Sequence, residues 1–461
     1  MAYVYDVRYV VKLMLEADTP LAVGSGNSDV LTDSPVCLDA NDLPMIPGSA
    51  LRGVLRHCFA RRYPALENTI FGFQDAQTST NSEGSRIVVS HAHIVDGQGV
   101  VEGLATSERL ESSYLASLQK LPVREHCKID HRGVSDRKSR GKFDNQVVPK
   151  GVRFVCRIEL GGTEAEANCW QNLLAILADP SFRVGSGTRK GFGKLKIVGT
   201  KSEQRGFRLR NAGERSAYLQ QSASLNRSIG GSPLSTGTQA TDYASYTLTL
   251  QPENSWSFGS GLPDKDADMT PVYEKSVQWN NDLPEWSQRM ILVPATAVKG
   301  ALAHRVAFHY NRLTGAFADK AGQDFSKITG EANPAVKQLF GCANDTRTDK
   351  GQIGQVIMSD LFVLEQPTNS TKILNHVAID RFTGGARDTA LFSERVVAQP
   401  TLLKLEFLVA RQVLTTPDST IKKAWEAALQ DICDGLLPLG GGVMRGHGIF
   451  NGTMNKEGVP A

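Results

Sequence analysis

Residues 24–53 read GSGNSDVLTDSPVCLDANDLPMIPGSALRG, and the division of this stretch into loop and helix decides the fold. A glycine pair opens it and Asp33 precedes a Ser34-Pro35 bend. IPGSALRG then closes it as a helix start, with Ser49 placed as N-cap and Pro47 just ahead of it. In the helix that follows, Leu51, Val54, Leu55, Cys58 and Phe59 share one face at the spacing of an amphipathic helix. Upstream, residues 3–15 (YVYDVRYVVKLML) alternate apolar and polar positions as a strand does. The same order returns later, with GSGLPDKDADMTPV at 259–272 and ILVPATAVKGAL at 291–302.

The repetition continues outward. KQLFGCANDT (337–346) answers NTIFGFQDAQT (68–78), and QVIMSDLFV (355–363) answers RIVVSHAHI (86–94). LGGGVMRGHGIFNG (439–452) answers VGSGTRKGFGKLKI (184–197). Matched segments in one order with a period near half the chain mark two whole domains rather than a solenoid. Strand–helix–strand followed by strand–helix–strand in each half predicts an α+β fold of two tandem ferredoxin-like modules with inserted loops. The predicted division is a first module over 1–210, a Ser/Gly-rich linker over 211–242 and a second module over 243–461.

A chain of 461 residues, 41% hydrophobic and 21% charged, has the composition of a soluble globular protein of two or three domains. The net charge of +3 is too small to imply nucleic acid alone, but residues 183–210 hold nine Lys or Arg against the single acid Glu203. Such a stripe fits either a phosphate partner or a solvated basic face. The seven cysteines are scattered without a CxxC pair, which argues against a zinc ribbon or a secreted disulfide frame. With no signal-peptide pattern and no membrane-length apolar run, a cytoplasmic location with reduced thiols is expected.

Neither glycine-rich loop is a nucleotide-binding loop, because GSGTRKGFG lacks GxxxxGK[ST] and leads into a strand rather than a helix. Its glycines allow close backbone approach, and Arg189 and Lys190 could then meet phosphates. Asp33 is placed to hold a hard cation or to position a 2′-hydroxyl, against the plainer role of an Asx-turn. Asp29, Asp39 and Asp42 are lesser candidates. Counted from the glycine pairs, Asp33 corresponds to Asp268; counted from the prolines the match slips by one residue, which keeps Asp266 in view as well. Arg52 and Lys299 occupy one slot at the two helix starts, a pairing that suits an anion shared with the helix N-terminus. Histidines 57, 91, 93, 126 and 131 are candidates for metal-independent acid–base cleavage of RNA, and of these only His126 recurs, as His376.

Taken together, DSPV…IPGSALRGVLR, FG, KID…VVPKG and VGSGTRKGFGKLKI resemble the RAMP superfamily of CRISPR–Cas proteins, and most closely the backbone subunit of type III effector complexes. The double module resembles the fused form of type III-D. The resemblance implies an RRM-like fold that binds CRISPR guide RNA, with thumb hairpins at 126–148 and 376–397 that kink the guide–target duplex. It implies metal-dependent cleavage of target RNA at Asp33, with Mg²⁺ or another divalent cation held there, and with Asp268 or Asp266 as the second-module counterpart. Guide-backbone contacts are implied for Ser49, Arg52 and Lys299 at the helix starts, and for Gly187, Arg189, Lys190, Gly442 and Arg445 in the glycine-rich loops. Implied partners are guide RNA, target RNA, other RAMP backbone subunits and the large signature subunit. DADMTPV and an insert before Ile291 depart from the pattern, which leaves catalysis in the second module open. Two other functions remain: a guide-RNA scaffold without catalysis, and a histidine-dependent CRISPR-RNA-processing endoribonuclease.

Overall fold

The alternating sequence VRYVVKLMLEA forms β1 (Val7–Ala17), which buries Val11, Leu13, Leu15 and Ala17. The computed structural model describes residues 5–27, 32–75, 82–130, 133–135, 141–235, 241–317, 319, 325–342, 351–366, 370–415 and 419–459. Helix α1 (Gly48–Arg62) follows, and then the short strands β2 (Ile87–Val89) and β3 (His93–Asp96). A hairpin of β4 (Val123–Cys127) and β5 (Lys142–Gln146) precedes β6 (Arg153–Gly162). Helix α2 (Ala167–Leu177), β7 (Leu195–Ile197) and β8 (Glu203–Arg208) complete the module. The sheet runs β8–β1–β6–β3, antiparallel throughout, with β2 also on β6 and β7 also on β1. Leu51, Leu55 and Phe59 of α1 and Trp170, Leu173 and Leu174 of α2 join the strand residues in one core.

After helix α3 (Ala212–Leu219), the second module repeats this order. It comprises β9 (Tyr243–Pro252), helix α4 (Ala295–Thr314), β10 (Val356–Met358) and a hairpin of β11 (Thr371–Ile379) with β12 (Ala386–Val397). Then come β13 (Leu403–Ala410), helix α5 (Ser419–Cys433) and β14 (Phe450–Glu457). Its sheet order, β10–β13–β9–β14, is that of the first module, as the expected tandem ferredoxin-like fold requires. Its core closes around Trp425, whose ring lies 5.7 Å from Phe407 and 6.0 Å from Tyr246.

Several local expectations change. Ser49 is not the N-cap: α1 begins at Gly48 behind Pro47, and the N–H groups of Ala50 and Leu51 reach back to the Pro47 carbonyl. The Gly48 N–H is satisfied instead by His91 Nδ1 at 3.1 Å, and the Ala295 N–H by Asp360 Oδ1 at 2.8 Å. Both caps sit just past the ends of β2 and β10, and His91 falls in the break between β2 and β3.

The Ser/Gly-rich stretch expected as a linker is folded onto the first module over 211–235. Its small residues leave N–H groups accessible to two carboxylates. Glu102 accepts from the Leu225 amide and the Ser224 hydroxyl, and Glu203 from the amides of Ile229 and Gly231. The basic stripe is not one patch either. Lys194 pairs with Asp18, Lys201 with Asp282, Arg208 with Glu164 and Arg210 with Asp6, while Arg183 is buried.

The insert before Ile291 reaches back over the first module. Strands Val277–Asn280 and Leu283–Trp286 pair as a hairpin, and Trp279 Nε1 donates to the Gly151 carbonyl at 2.7 Å. Tyr114 packs against both Trp279 and Trp286. Beside this clasp the Arg124 guanidinium, from the base of the first hairpin, is buried between Glu274 and Asp360 of the second module. Nη1 meets Asp360 at 2.5 Å and Nη2 meets Glu274 at 2.7 Å. Among the described residues no helix is long and apolar enough to cross a membrane.

Arg124→Ala leaves two acidic groups facing each other in a dry junction. It is expected to cost about 3–5 kcal/mol of stability, read by chemical denaturation, and to open the junction to limited proteolysis before either module unfolds.

Candidate functional site

Asp33 lies on the exposed loop after β1, and the base of the first hairpin fixes it there. The Asp33 N–H donates to Asp144 Oδ1 at 2.8 Å, and the Asp144 N–H donates back to Asp33 Oδ2 at 3.1 Å. Two residues on, the Gln146 N–H reaches the Ser34 carbonyl and the Val36 N–H reaches Gln146 Oε1. The loop is thus locked along β5, with two carboxylates side by side.

The second module repeats the lock at Asp268. Its N–H faces the Ser393 carbonyl at 3.0 Å, and Asp268 Oδ2 accepts from the Ser393 N–H at 2.8 Å and its hydroxyl at 3.0 Å. The Arg395 N–H reaches Met269 O as Gln146 reaches Ser34 O. Backbone pairing therefore aligns Pro35 with Thr270 and Asp33 with Asp268; the proline of the second loop has moved one position along. Asp266 is not the counterpart. It and Asp264 pair with Arg395 at 3.2 and 3.0 Å. Of the lesser candidates, Asp39 accepts from the amides of Asn41 and Leu43, Asp42 sits in the turn with φ 58°, and Asp29 lies outside the described residues.

Successive strand residues point to opposite faces, so Phe143 turns away from the Asp33 side. His126 stacks on Phe143 with centroids 5.0 Å apart, and Lys190 Nζ lies 5.0 Å from the same ring. In the second module His376 stacks on Phe392 at 4.8 Å and the Arg445 guanidinium lies 5.6 Å from that ring. Lys190 and Arg445 arrive on glycine-rich turns of one geometry. Their N–H groups bond the carbonyls of Gly187 and Gly442, both of which hold φ near +70°. The two clefts differ in their buried charge. Glu394 accepts from His376 at 2.8 Å, His447 at 3.0 Å and Arg445 at 2.5 Å, where the first module has Asn145. Burial, with Arg124 and Lys190, depresses the His126 pKa to about 4, so its ring is neutral at pH 7.

Arg52 Nη2 donates to the Phe71 carbonyl at 2.7 Å and Lys299 Nζ to the Phe340 carbonyl at 3.1 Å. Each cation thereby ties its helix start to the end of a short helix. Ser49 is exposed in the first turn of α1. The first module's glycine-rich loop docks on the start of α4, so Arg189 and Lys190 join Lys299 across the junction. Arg183 lies beneath them. Burial, then the neighbouring Arg189, pushes its pKa down to about 10.

Sequence reasoning missed Asp144, Glu394, Arg183 and the pairing of modules. Setting FDNQVV (143–148) beside FSERVV (392–397) would have found the first two.

Two ferredoxin-like modules with hairpins, glycine-rich turns and helix-start cations define the class, and sequence comparison places the chain within it. The family model of the RAMP superfamily matches residues 14–196 and 232–451. The chain belongs to the RAMP superfamily, whose members are CRISPR-associated RNA-binding subunits. No curated protein matches it.

Burial, followed by the charges of Lys190 and Arg189, lowers the Lys299 pKa to about 8. A lysine depressed on folding contributes stability at high pH that is lost as pH falls through its folded value. Wild-type protein should therefore gain stability on a Lys299→Met variant as pH rises from about 8 toward the ordinary lysine value of about 10.4, measured by denaturant titration at each pH.

Proposed function

We propose that this chain is a backbone subunit of a type III RNA-guided effector complex, in the fused double-module form of type III-D. It holds the guide RNA and cleaves complementary target RNA at Asp33 with a divalent cation. The observation that carries this reading is the reciprocal lock of Asp33 on Asp144, which presents two carboxylates on the exposed side of a hairpin base.

These residues fit the cation. Among the described residues no group of three or more His, Cys, Asp or Glu could hold a metal. Mg²⁺ needs fewer protein ligands than that, taking one or two carboxylates and completing its shell with water and phosphate oxygens. Asp33 and Asp144 would hold it, and when bound it supplies charge stabilisation at the scissile phosphate.

The rest of the work is positioning. Hairpins whose exposed side chains are apolar suit insertion between bases. The second hairpin carries Phe382, fully exposed at its turn, together with Val377, Ile379 and Leu391. A nucleotide displaced from the A-form stack swings its 2′-hydroxyl into line with the adjacent phosphate, and that orientation accounts for much of the rate. Arg189, Lys190 and Lys299 would grip guide phosphates at the junction, with Arg52 and Arg445 at the two ends. Base pairing with the guide supplies sequence specificity, and the protein reads backbone and shape.

A holding role for the second module has an observation of its own. Ser393 replaces the second carboxylate, and Glu394 occupies Arg445. Histidine-dependent processing is less well supported, because His126, with its pKa lowered to about 4, is a weak base that stays unprotonated at pH 7, and His376 is bound to Glu394.

Cleavage mapping of labelled target RNA by the assembled complex tests the reading. Asp33→Ala should slow one discrete cut by roughly a hundredfold or more, the scale of losing a positioned catalytic group, with guide and target binding intact. An unchanged cut pattern would reduce the chain to a scaffold. Asp144→Ser should raise the Mg²⁺ needed for the same cut by about tenfold. Any cut that depends on Asp268 should demand more Mg²⁺ than the Asp33 cut in wild-type complex.

A further inference from the structure

Glu394 is a buried anion enclosed by donors. Its Oε1 accepts from His376 Nε2 at 2.8 Å and His447 Nε2 at 3.0 Å, and its Oε2 accepts from Arg445 Nη2 at 2.5 Å. Ser255 Oγ lies 2.7 Å from His447 Nδ1 and extends the chain of hydrogen bonds by one group. Burial works against the charge on Glu394, but the bonds from Arg445 and His447 overcome it and hold its carboxyl below the usual range. The adjacent Arg395 points to the other face of β12, where Asp264 and Asp266 hold it. The charged and titratable groups that face Glu394 are Arg445 and the two histidines.

The first module is built differently at three of these positions. The amides of Gly193 and Gly448 bond the carbonyls of Pro20 and Ser255, which puts Ser255 at the position of Pro20. One residue before each of those glycines, His447 stands where the first module has Phe192, whose ring packs 5.0 Å from the Arg124 guanidinium. Asn145 stands at the position of Glu394. A buried histidine needs a partner for each ring nitrogen, so the three differences form one unit. Counting charge shows what that unit can do. With both rings neutral, each Nε2–H donates to Glu394, and one carboxylate balances one guanidinium. Histidine is the side chain that changes charge between about pH 5 and 8. Each proton taken up adds a positive charge beside Arg445, and two imidazolium groups satisfy the carboxylate without it. Arg445 is also the most exposed partner, its side chain 37% accessible against 27% for His376 and 8% for His447. It is the group that leaves.

We propose that Glu394, His376 and His447 form a proton-operated latch on Arg445, which frees the guanidinium for an RNA phosphate when the histidines take up protons. The first cleft lacks this control. Its cation, Lys190, lies over Phe143, and His126, with a pKa near 4, does not change charge in the same range. The inference rests on the proposed reading of the chain as an RNA-holding subunit and adds a regulation confined to the second module.

The test is binding of a fluorescent single-stranded RNA of mixed sequence to the full chain, from pH 8 to pH 6 at constant ionic strength. Wild-type affinity should rise by about fivefold or more, the low end of ordinary coupling between sites. Glu394→Asn, which installs the first module's residue, should bind at pH 8 about as tightly as wild type does at pH 6, with little change between. Replacing both histidines, His376→Gln with His447→Phe, should keep Arg445 on Glu394 and leave binding weak at both ends. Arg445→Gln should bind weakly throughout. Wild-type binding that does not change with pH, or a pH dependence that survives Glu394→Asn, overturns the latch. Arg445→Gln alters a partly exposed side chain and keeps the test decisive should a buried variant fail to fold: a pH dependence that survives it overturns the latch as well. A chain that binds RNA at no pH overturns the holding role too. Loss of the Asp33 cut in Asp33→Ala alongside pH-independent binding counts against the latch alone, so the two readings fail separately.

Discussion

A single guanidinium sets the relation of the two halves. Arg124 leaves the base of the first hairpin and enters a site between Glu274 and Asp360, where water is excluded. Burial alone would disfavour its charge, but the two carboxylates outweigh that and raise its pKa further. Asp360 is meanwhile the acceptor that caps α4. The same carboxylate therefore starts a helix, holds a neighbouring module and shapes the ground under Lys190 and Lys299. Buried ion pairs add little net stability over apolar packing, but they tolerate few alternative geometries. Here that intolerance fixes a docking angle.

The duplication produced two clefts of one geometry and different chemistry. Both present a loop aspartate locked to a hairpin base, a His–Phe stack and a cation on a glycine turn. In the first, a second carboxylate stands beside Asp33, and Lys190 has no acidic partner among the described residues. In the second, a serine stands beside Asp268 and Glu394 neutralises the cation. Divergence at two adjacent positions, 144–145 against 393–394, redistributes charge without moving the backbone.

Much of this was legible in the sequence because it depends on local pattern. Alternation gave β1, the apolar face gave α1, and the ordered repeat gave the tandem fold and the equivalence of Arg52 with Lys299. Ser49 was misplaced because its cap is supplied from a distant strand end, by His91. The slip at Pro35 and Pro271 could be resolved only by backbone pairing with β5 and β12. Residues 183–210 looked like one basic surface because their acidic partners lie far away in sequence, at Asp6, Asp18 and Glu164. The Ser/Gly-rich stretch looked free because glutamates accepting backbone N–H groups leave no compositional trace.

The clasp at 277–286 has a consequence for measurement along a nucleic acid. Were the halves joined only by their connecting chain, the step from Asp33 to Asp268 would vary with tether length. Trp279 on Gly151 and Arg124 in its pocket make that step a dimension of a rigid body. The two aspartate loops are marks on one ruler, held at a separation that the connecting chain does not set.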